Sequence, residues 1–365
     1  MKLTGKQIMA VKHCLKCKIP FALWSDRGEK LAQFRCSLPH DGINEWPEDI
    51  ANWNGFFINY FGNDEDYIVG VCGEYDENSV PENVCFDDEP EIEPVDQSTD
   101  YYTYISIVNK LIQTLDKPNS KVVFSRVIAQ EGSDDVLDVA WRYFSEYPHT
   151  FRYLCYTHET GIWFGATPEL VASYDINSRE LETEAIAGTR PADITGEWDV
   201  KNLKEHSIVP LSIMAQIKKM GGECDECNFE VSEVKFGDIA HLRTEIHAIM
   251  PKGVNVQEML TTLSPTAAIA GWPREEAIKK IFAYENHPRH FYGGFVGYKK
   301  HGMVKAYANI RCAFVGEEKA GKRLYNIYAG GGLISKSKAE EEWNETESKS
   351  RHLVNIVKNS NEKIQ

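Results

Sequence analysis

Residues 341–349, EEWNETESK, contain charged side chains at helical spacing. Glu342, Glu345 and Lys349 follow one another at i, i+3 and i+7, so a helix would place them on one face. Clustered carboxylates suit a hard divalent cation such as Mg²⁺, which takes one or two protein carboxylates together with substrate oxygens. A solvated face of ion pairs has the same spacing, so this segment alone leaves both interpretations open.

The glycines that precede this segment indicate an anion site. Residues 328–333 read YAGGGL, and bare glycines expose backbone N–H groups to a bound anion. Amides for one carboxylate, beside acids for a metal, would form a coherent binding site for a dianion.

Three other side chains could complete such a site. Lys121 opens a strand-like run, and a lysine that loses solvation in a semi-enclosed site can act as a base. Glu169 could be the complementary acid, because an acid–base pair needs opposite protonation states at one pH. Glu205 is either a second metal ligand or a first-turn acid favoured by the helix dipole. A strand-end lysine that reaches water and a simple loop carboxylate are the alternatives for Lys121 and Glu169.

Periodic apolar residues predict the helices that would position these groups. Apolar side chains recur at three- and four-residue steps over residues 104–115, which predicts an amphipathic helix. Residues 203–220 are also helical in pattern, and a final helix is predicted over residues 338–357. Pro210 should kink or break the second helix, because proline removes a backbone hydrogen bond.

Short β-branched and aromatic runs predict the strands. One begins at Lys121, a turn is expected at residues 165–168, and the chain before Phe86 has short runs that suit strands. Further glycine-containing strand candidates lie around residues 292–298, 304–314 and 324–333. Because strands dominate and helices are interspersed, the sequence predicts an α+β fold with large antiparallel sheets.

An acidic stretch divides the chain. Residues 87–100, DDEPEIEPVDQSTD, combine two prolines with many acids, which is typical of a linker. We therefore predict a strand-rich N-terminal region over residues 1–100 and a catalytic region over residues 101–365. The two regions are expected to form a single integrated catalytic domain.

Composition excludes several classes of function. The 365-residue chain carries a formal net charge of −15, which argues against binding to nucleic acid or anionic membranes. It contains no run near the ~20 apolar residues of a membrane span. The first 18 residues lack the apolar core of a signal peptide, so we expect a cytoplasmic protein.

The nine cysteines are then expected to be reduced thiols. Two Cys-x-x-Cys pairs could together supply four thiolates to a structural zinc ion. The pairs, Cys14/Cys17 and Cys224/Cys227, lie far apart and lack a zinc-ribbon turn pattern. We therefore favour thiols in surface loops over a zinc site.

Nine segments between about residues 104 and 357, in this order, resemble the chorismate-utilising family of isochorismate, salicylate, anthranilate and aminodeoxychorismate synthases. The segments are KVVFSR at Lys121, FGATPELV at Phe164, EAIAGTRP at Glu184, KEHSIV at Lys204, HLRTEIHA at His241, LSPTAAIAGWPREEA at Leu263, RHFYGGFVGY at Arg289, YANIRCAFV at Tyr307 and YAGGGLISKSKAEEEWNETESKSR at Tyr328.

The resemblance implies two interleaved α/β subdomains whose large sheets enclose a buried active site. It implies that Lys121 activates water for attack at ring carbon C2, and that Glu169 protonates the departing C4 hydroxyl. It also implies a Mg²⁺ cofactor that holds the ring carboxylate, with Glu205 and Glu345 as its ligands and Glu342 close to it.

The remaining implied roles concern the substrate, chorismate. Arg311 matches a contact to the enolpyruvyl carboxylate, and a planar guanidinium can bind a carboxylate bidentately. The other positions assigned to this pocket are Gly188, Thr189, Gly330, Gly331 and Lys349. His206 and His241 are expected to be structural.

Two positions predict the subclass. Lys121 lies where anthranilate synthases carry glutamine, and Ala187 lies where aminodeoxychorismate synthases carry a nucleophilic lysine. We therefore expect a Mg²⁺-dependent isomerase similar to isochorismate synthases, acting as a monomer without a glutaminase subunit in a menaquinone or siderophore pathway. A salicylate synthase, which also eliminates pyruvate, and a non-catalytic chorismate-binding homologue are the alternatives.

Overall fold

The computed structural model describes residues 1–38, 53–62, 68–87, 90–115, 120–224, 230–237 and 239–360. The helices in these ranges are α1 (Gly5–Cys17), α2 (Tyr101–Ile112), α3 (Val136–Glu146), α4 (Val200–Lys219), α5 (Val256–Leu263), α6 (Arg274–Tyr284) and α7 (Ala339–Asn359).

The strands in the same ranges are β1 (Phe21–Ser25), β2 (Gln33–Cys36), β3 (Gly55–Asn59), β4 (Ile68–Cys72), β5 (Lys121–Ser133), β6 (Phe151–Thr157), β7 (Gly161–Thr167), β8 (Leu170–Asp175), β9 (Glu180–Pro191), β10 (Glu223–Cys224), β11 (Val231–Phe236), β12 (Ile239–Ile249), β13 (Gly271–Trp272), β14 (Phe295–Lys300), β15 (Met303–Ala308), β16 (Cys312–Val315) and β17 (Lys322–Leu333).

These strands form two antiparallel sheets. The eight-stranded sheet has the order β13-β5-β17-β16-β7-β6-β1-β2, and the nine-stranded sheet has the order β10-β12-β9-β8-β15-β14-β3-β4, with β11 paired to β12. The first strands of the chain are divided between them, because β1 and β2 join one sheet and β3 and β4 join the other. The predicted α+β fold with large antiparallel sheets is confirmed.

Aromatic side chains fill the space between the two sheets. Phe151 on β6 stacks on Tyr307 of β15 with ring centroids 4.5 Å apart, and Phe56 on β3 lies 5.8 Å from Tyr153 on β6. Because successive strand residues point to opposite faces, Leu154 faces the other side of its sheet. The sheets therefore pack face to face around an aromatic core.

Helices cover the outer faces of both sheets. Helices α1, α3 and α7 pack on the eight-stranded sheet, and α4 and α5 pack on the nine-stranded sheet. Helix α6 packs on β5 and β13 of the eight-stranded sheet, and α2 lies beside α6 and α7. In α2, Tyr104, Val108 and Leu111 are buried at the three- and four-residue steps read from the sequence. This arrangement places helix–sheet cores on both sides of the central aromatic layer.

Two predictions about helices were incomplete or wrong. Helix α1 lies in the stretch predicted as strand-rich, and its signal was the capping box formed by Thr4 and Gln7. Helix α4 continues through Pro210, so the expected break does not occur. Val209 and Ile213 are buried on either side of the proline, and this packing holds both halves of the helix in place.

Two predictions about strands also needed correction. The turn expected at residues 165–168 begins later, because β7 extends to Thr167. The strand expected over residues 304–314 is two strands, β15 and β16, which belong to different sheets. The chain crosses between them at Arg311, which has a left-handed backbone with φ +54°. Local patterns could not reveal this crossover, since both runs have the character of strands.

The expectation for the cysteines is wrong for part of the chain. Cys14 and Cys17 lie on α1 and are buried, and a disulfide joins Cys17 to Cys85. Cys224 lies on β10 in the nine-stranded sheet, and Cys227 falls outside the described residues.

None of the helices in the described ranges combines the length and apolar content needed to cross a bilayer.

Truncating the aromatic core should destabilise the protein strongly. Phe56→Ala removes a ring that contacts Trp24 and Tyr153 and leaves a cavity between the sheets, so we expect the free energy of unfolding to fall by about 3–5 kcal/mol. Tyr102→Ala removes a ring that is 82% exposed and should change it by less than about 0.5 kcal/mol. Urea unfolding measures both, and equal losses would contradict the packing described.

Candidate active site

One cavity collects most of the side chains predicted to do chemistry. It is bounded by strands of both sheets and by α4, close to the point where the chain crosses between the sheets at Arg311. Eight predicted residues line it: Lys121, Glu169, Gly188, Thr189, Glu205, Arg311, Gly330 and Lys349. Ala187 and His241 line it as well. The fold therefore brings these residues together, while the role assigned to each stays a prediction.

A buried ion pair lies at one wall of the cavity. Lys121 is the first residue of β5 and only 1% exposed, and its Nζ lies 3.0 Å from Oε1 of Glu205 on α4. Gly332 on the neighbouring strand β17 permits this approach, because a Cβ there would collide with Glu205 Oε1 and would lie 2.7 Å from Lys121 Cε. The buried amine of Lys121 needs the Glu205 carboxylate as a partner, since an unpaired charge is costly to bury.

Glu169 lies in the connection between β7 and β8 and is 2% exposed. Burial raises its pKa to about 7, although a hydrogen bond from Thr266 and the positive charge of Lys121 hold it down. The Thr266 hydroxyl donates to Glu169 Oε1 over 3.0 Å. This carboxyl can therefore hold a proton near neutral pH, as a general acid requires.

Two cations converge at another wall. Arg311 Nη1 donates to the backbone oxygen of Lys349 over 2.8 Å. Lys349 Nζ in turn donates to the backbone oxygen of Gly330 over 3.0 Å and pairs with Glu345 Oε1 at 2.6 Å. Because the chain as a whole is acidic, such local cations are what would attract an anion to this cavity.

A β-bulge shapes the wall formed by β9 and β12. The register shifts at His241, and Gly188 bulges out with φ +74°. His241 Nδ1 lies 2.8 Å from the Gly188 oxygen, and the Thr189 N–H donates to Asn202 Oδ1 over 2.9 Å. Since a carbonyl oxygen only accepts, Nδ1 carries the hydrogen. Burial, helped by Arg311 and Lys349, lowers the pKa of His241 to about 3, so the ring stays neutral.

The two histidines expected to be structural differ in their surroundings. His206 is buried and its Nε2 lies 2.8 Å from Thr244 Oγ1, and burial together with the charge of Lys121 lowers its pKa to about 4. His241 is also buried, but it lines the cavity and holds the bulge that shapes it. Both rings are neutral at physiological pH.

The other predicted metal ligands approach from behind β17. Glu342 is buried, and a Cβ on Gly331 would lie 3.0 Å from its Oε2 and 3.9 Å from Glu345 Oε1. The bare glycine thus leaves room for both carboxylates, and hard oxygen donors suit Mg²⁺. Across the described ranges, no three His, Cys, Asp or Glu side chains are already grouped as a metal site. Glu205 and Glu345 instead each bind a lysine.

Several cavity residues had no role assigned from the sequence. Thr266 lies within the LSPTAAIAGWPREEA segment, but its bond to Glu169 depends on the fold. Tyr292 lines the cavity and stacks on Tyr328 with ring centroids 5.1 Å apart. Burial raises the pKa of both phenols, so they remain protonated. The aromatic segment around Tyr292 was the available signal, since it resembles a family block.

Comparisons with known proteins identify the family of this chain. The family described as "Chorismate binding enzyme" matches residues 75–358. Isochorismate synthase MenF of Haemophilus influenzae is 28% identical over 216 residues, which cover 56% of this chain and 48% of that protein. Anthranilate synthase component 1 of Saccharolobus solfataricus is 27% identical over 277 residues, which cover 72% and 63%. The chain therefore spans about half the length of the MenF relative.

Solved structures share the fold. MenF, the menaquinone-specific isochorismate synthase from Escherichia coli, superposes with a TM-score of 0.72 at 19% identity, covering 93% of this chain and 88% of that chain. Anthranilate synthase component I from Streptococcus pneumoniae gives a TM-score of 0.63 at 15% identity, covering 92% and 90%. At these identities the likeness concerns the fold, and it confirms the architecture expected from the nine segments.

Removing the hydroxyl of Thr266 should raise the pKa of Glu169 further. Thr266→Val deletes the donor that stabilises the ionised carboxylate, so the titration midpoint should move above about 7, whereas Thr266→Ser keeps the donor and should leave it nearly unchanged. Carboxyl ¹³C NMR, with the Glu169 signal assigned by its loss in Glu169→Gln, measures the midpoint. An unchanged midpoint in Thr266→Val would contradict the assigned hydrogen bond.

Proposed function

The chain belongs to the chorismate-binding enzyme family, and from this membership we propose that it converts chorismate into isochorismate. Water adds at ring carbon C2 and the C4 hydroxyl departs. The observation that carries the proposal is that Lys121 and Glu169, a buried amine and a buried carboxyl with a raised pKa, line one cavity. Addition of water coupled to departure of a protonated hydroxyl needs a base and an acid of this kind.

Glu169 is proposed as the acid. Its pKa of about 7 keeps a proton available at neutral pH. The Thr266 hydroxyl donates to Oε1, which leaves Oε2 as the oxygen that carries the proton. From Oε2 the proton passes to the departing C4 hydroxyl, which then leaves as water rather than as hydroxide. The carboxylate that remains is stabilised by the same threonine and by the charge of Lys121.

Lys121 is proposed as the base. As a neutral amine its Nζ accepts the proton of the attacking water, and the ammonium that results is then paired with Glu205. Anthranilate synthases, which use ammonia, carry glutamine at this position. The lysine of this chain therefore supports water, and not ammonia, as the nucleophile. Ala187 has no nucleophile, which argues against the covalent chemistry of aminodeoxychorismate synthases.

Chorismate is a dianion, and the other groups of the cavity suit its two carboxylates. Arg311 and Lys349 supply positive charge, and the amides of Gly330 and Gly331 are proposed to bind the enolpyruvyl carboxylate. Gly188 and Thr189 would complete the pocket. Within an acidic chain, these groups make the cavity locally attractive to an anion.

We propose Mg²⁺ as the cofactor, held by Glu205 and Glu345 with Glu342 close by. When bound, such a cation draws electron density from the ring carboxylate and so favours attack by water. We also propose a cytoplasmic monomer that needs no glutaminase subunit.

Product analysis tests the reaction. Purified protein incubated with chorismate and Mg²⁺ should form isochorismate, resolved by liquid chromatography. Salicylate with pyruvate as the main products would assign the chain to the salicylate synthases instead. A product that forms only with ammonia or a glutaminase would assign it to the anthranilate type.

The assigned acid and base can be tested separately. Lys121→Ala and Glu169→Gln should each lower kcat by about 10²–10⁴-fold, because each removes a proton-transfer group while the carboxylate-binding groups remain. Lys322→Ala, at an exposed lysine, should match wild type. Steady-state kinetics with chorismate measures this. Turnover by Lys121→Ala at the wild-type rate would refute the assignment of Lys121 as the base.

The metal assignment predicts a change in Mg²⁺ dependence. Chelation should abolish turnover, and Glu205→Gln or Glu345→Gln should raise the Mg²⁺ concentration for half-maximal rate by more than about tenfold, because each removes a hard ligand. Glu340→Gln, at an exposed position on α7 with Glu345, is the matched control. Full turnover in chelator would exclude the cofactor.

A further inference from the structure

The turn that carries Glu169 is held from outside the cavity by one ion pair. Arg27 Nη2 donates to the backbone oxygen of Pro168, and the N–H of Leu170 donates to Glu184 Oε2 over 3.4 Å. Arg27 and Glu184 bind each other bidentately, with Nη1–Oε1 at 2.8 Å and Nη2–Oε2 at 2.7 Å. The two residues flanking Glu169 in the chain are therefore bound by the two members of a single pair.

This pair is built into the fold. The Glu184 side chain on β9 is 1% exposed, whereas that of Arg27, which follows β1, is 27% exposed. A planar guanidinium bound bidentately has a fixed orientation, which a flexible ammonium would lack. Asp26 fixes the backbone next to it by accepting from the Arg27 N–H over 2.8 Å. The side chains that donate to Asp26 are Tyr298, Lys305 and Tyr307.

The pair also acts on the acid electrostatically, with opposite signs. After burial, the groups that set the pKa of Glu169 are the Thr266 hydroxyl and Lys121 on β5, which lower it, then Glu184 on β9, which raises it, and Arg27, which lowers it. Neither Arg27 nor Glu184 is among the residues that line the cavity. They contact the backbone on both sides of Glu169 instead.

We propose that Arg27 and Glu184 form a positioning pair for Glu169. The pair fixes the direction of the Glu169 carboxyl and places one positive and one negative charge near it. The proposal deepens the function proposed above and rests on it in taking Glu169 as the acid. Arg27 lies outside residues 75–358, the part of the chain matched by the family. The N-terminal region thus contributes to the active site through a residue that touches only its scaffold.

Removing the positive charge of Arg27 and the negative charge of Glu184 in separate variants gives the sharpest test. Arg27→Gln leaves Glu184 less compensated and should raise the titration midpoint of Glu169, whereas Glu184→Gln should lower it, each by about one pH unit. Arg27→Lys keeps the charge and should lie near wild type. Carboxyl ¹³C NMR of the full chain measures all three midpoints, with Glu169→Gln used to assign the signal.

Arg243→Gln is the matched control. Arg243 Nη2 lies 3.1 Å from Glu184 Oε1, the oxygen that Arg27 Nη1 also binds. The other ion-pair partner of Arg243 is Glu245, away from the turn. This variant should shift the Glu169 midpoint less than Arg27→Gln does. If Arg27→Gln fails to fold, Glu184→Gln and Arg27→Lys still decide the matter. Glu184→Gln should lower the midpoint, and Arg27→Lys, which keeps the charge, should leave it nearly unchanged.

Kinetics supplies the second readout. Arg27→Gln and Glu184→Gln should move the alkaline limb of the kcat/KM profile up and down respectively, and each should lower kcat by about tenfold with KM within about threefold. Shifts in the same direction, or no shift, would overturn the positioning role. Opposite NMR shifts in a protein that forms no isochorismate would uphold the coupling while the proposed function fails, so the two failures are distinguishable.

Discussion

Charged side chains buried where the two sheets meet impose the constraint on which this structure depends. A charge removed from water is tolerated only when it is paired or when it changes protonation state. Lys121 meets the first condition through Glu205 at 3.0 Å, and the partly exposed Lys349 is paired in the same way with Glu345 at 2.6 Å. Glu169 meets the second, because burial raises its pKa to about 7. The reactive properties of the site are consequences of this burial.

The fold provides the burial through strand ends and crossings, more than through any single loop. Lys121 begins β5, Glu169 joins β7 to β8, and Arg311 lies where the chain passes from one sheet to the other. Bare glycines on β17 then let carboxylates from α4 and α7 come close to the strand. An aromatic core packs the two sheets together and so holds these elements around the charged groups.

Sequence patterns predicted those parts of the site that depend on local geometry. The i, i+3, i+7 spacing of Glu342, Glu345 and Lys349 needed only a helix, and α7 supplies it. Patterns failed where distant segments decide the outcome. Pro210 looks like a helix breaker until the buried neighbours on both sides are known. The strand expected over residues 304–314 looks continuous until its halves join different sheets.

The raised pKa of Glu169 shows the same limit in chemical terms. No property of the residues around position 169 predicts it, because it results from burial and from four groups that approach from other elements. Thr266 and Glu184 lie in segments that resemble the family, whereas Arg27 lies in the N-terminal region, which matches it only loosely. Because groups from distant segments of the chain surround this carboxyl, substitutions that leave every cavity-lining residue unaltered can change its pKa. Similarity in the cavity-lining residues alone would therefore not determine the pKa of Glu169.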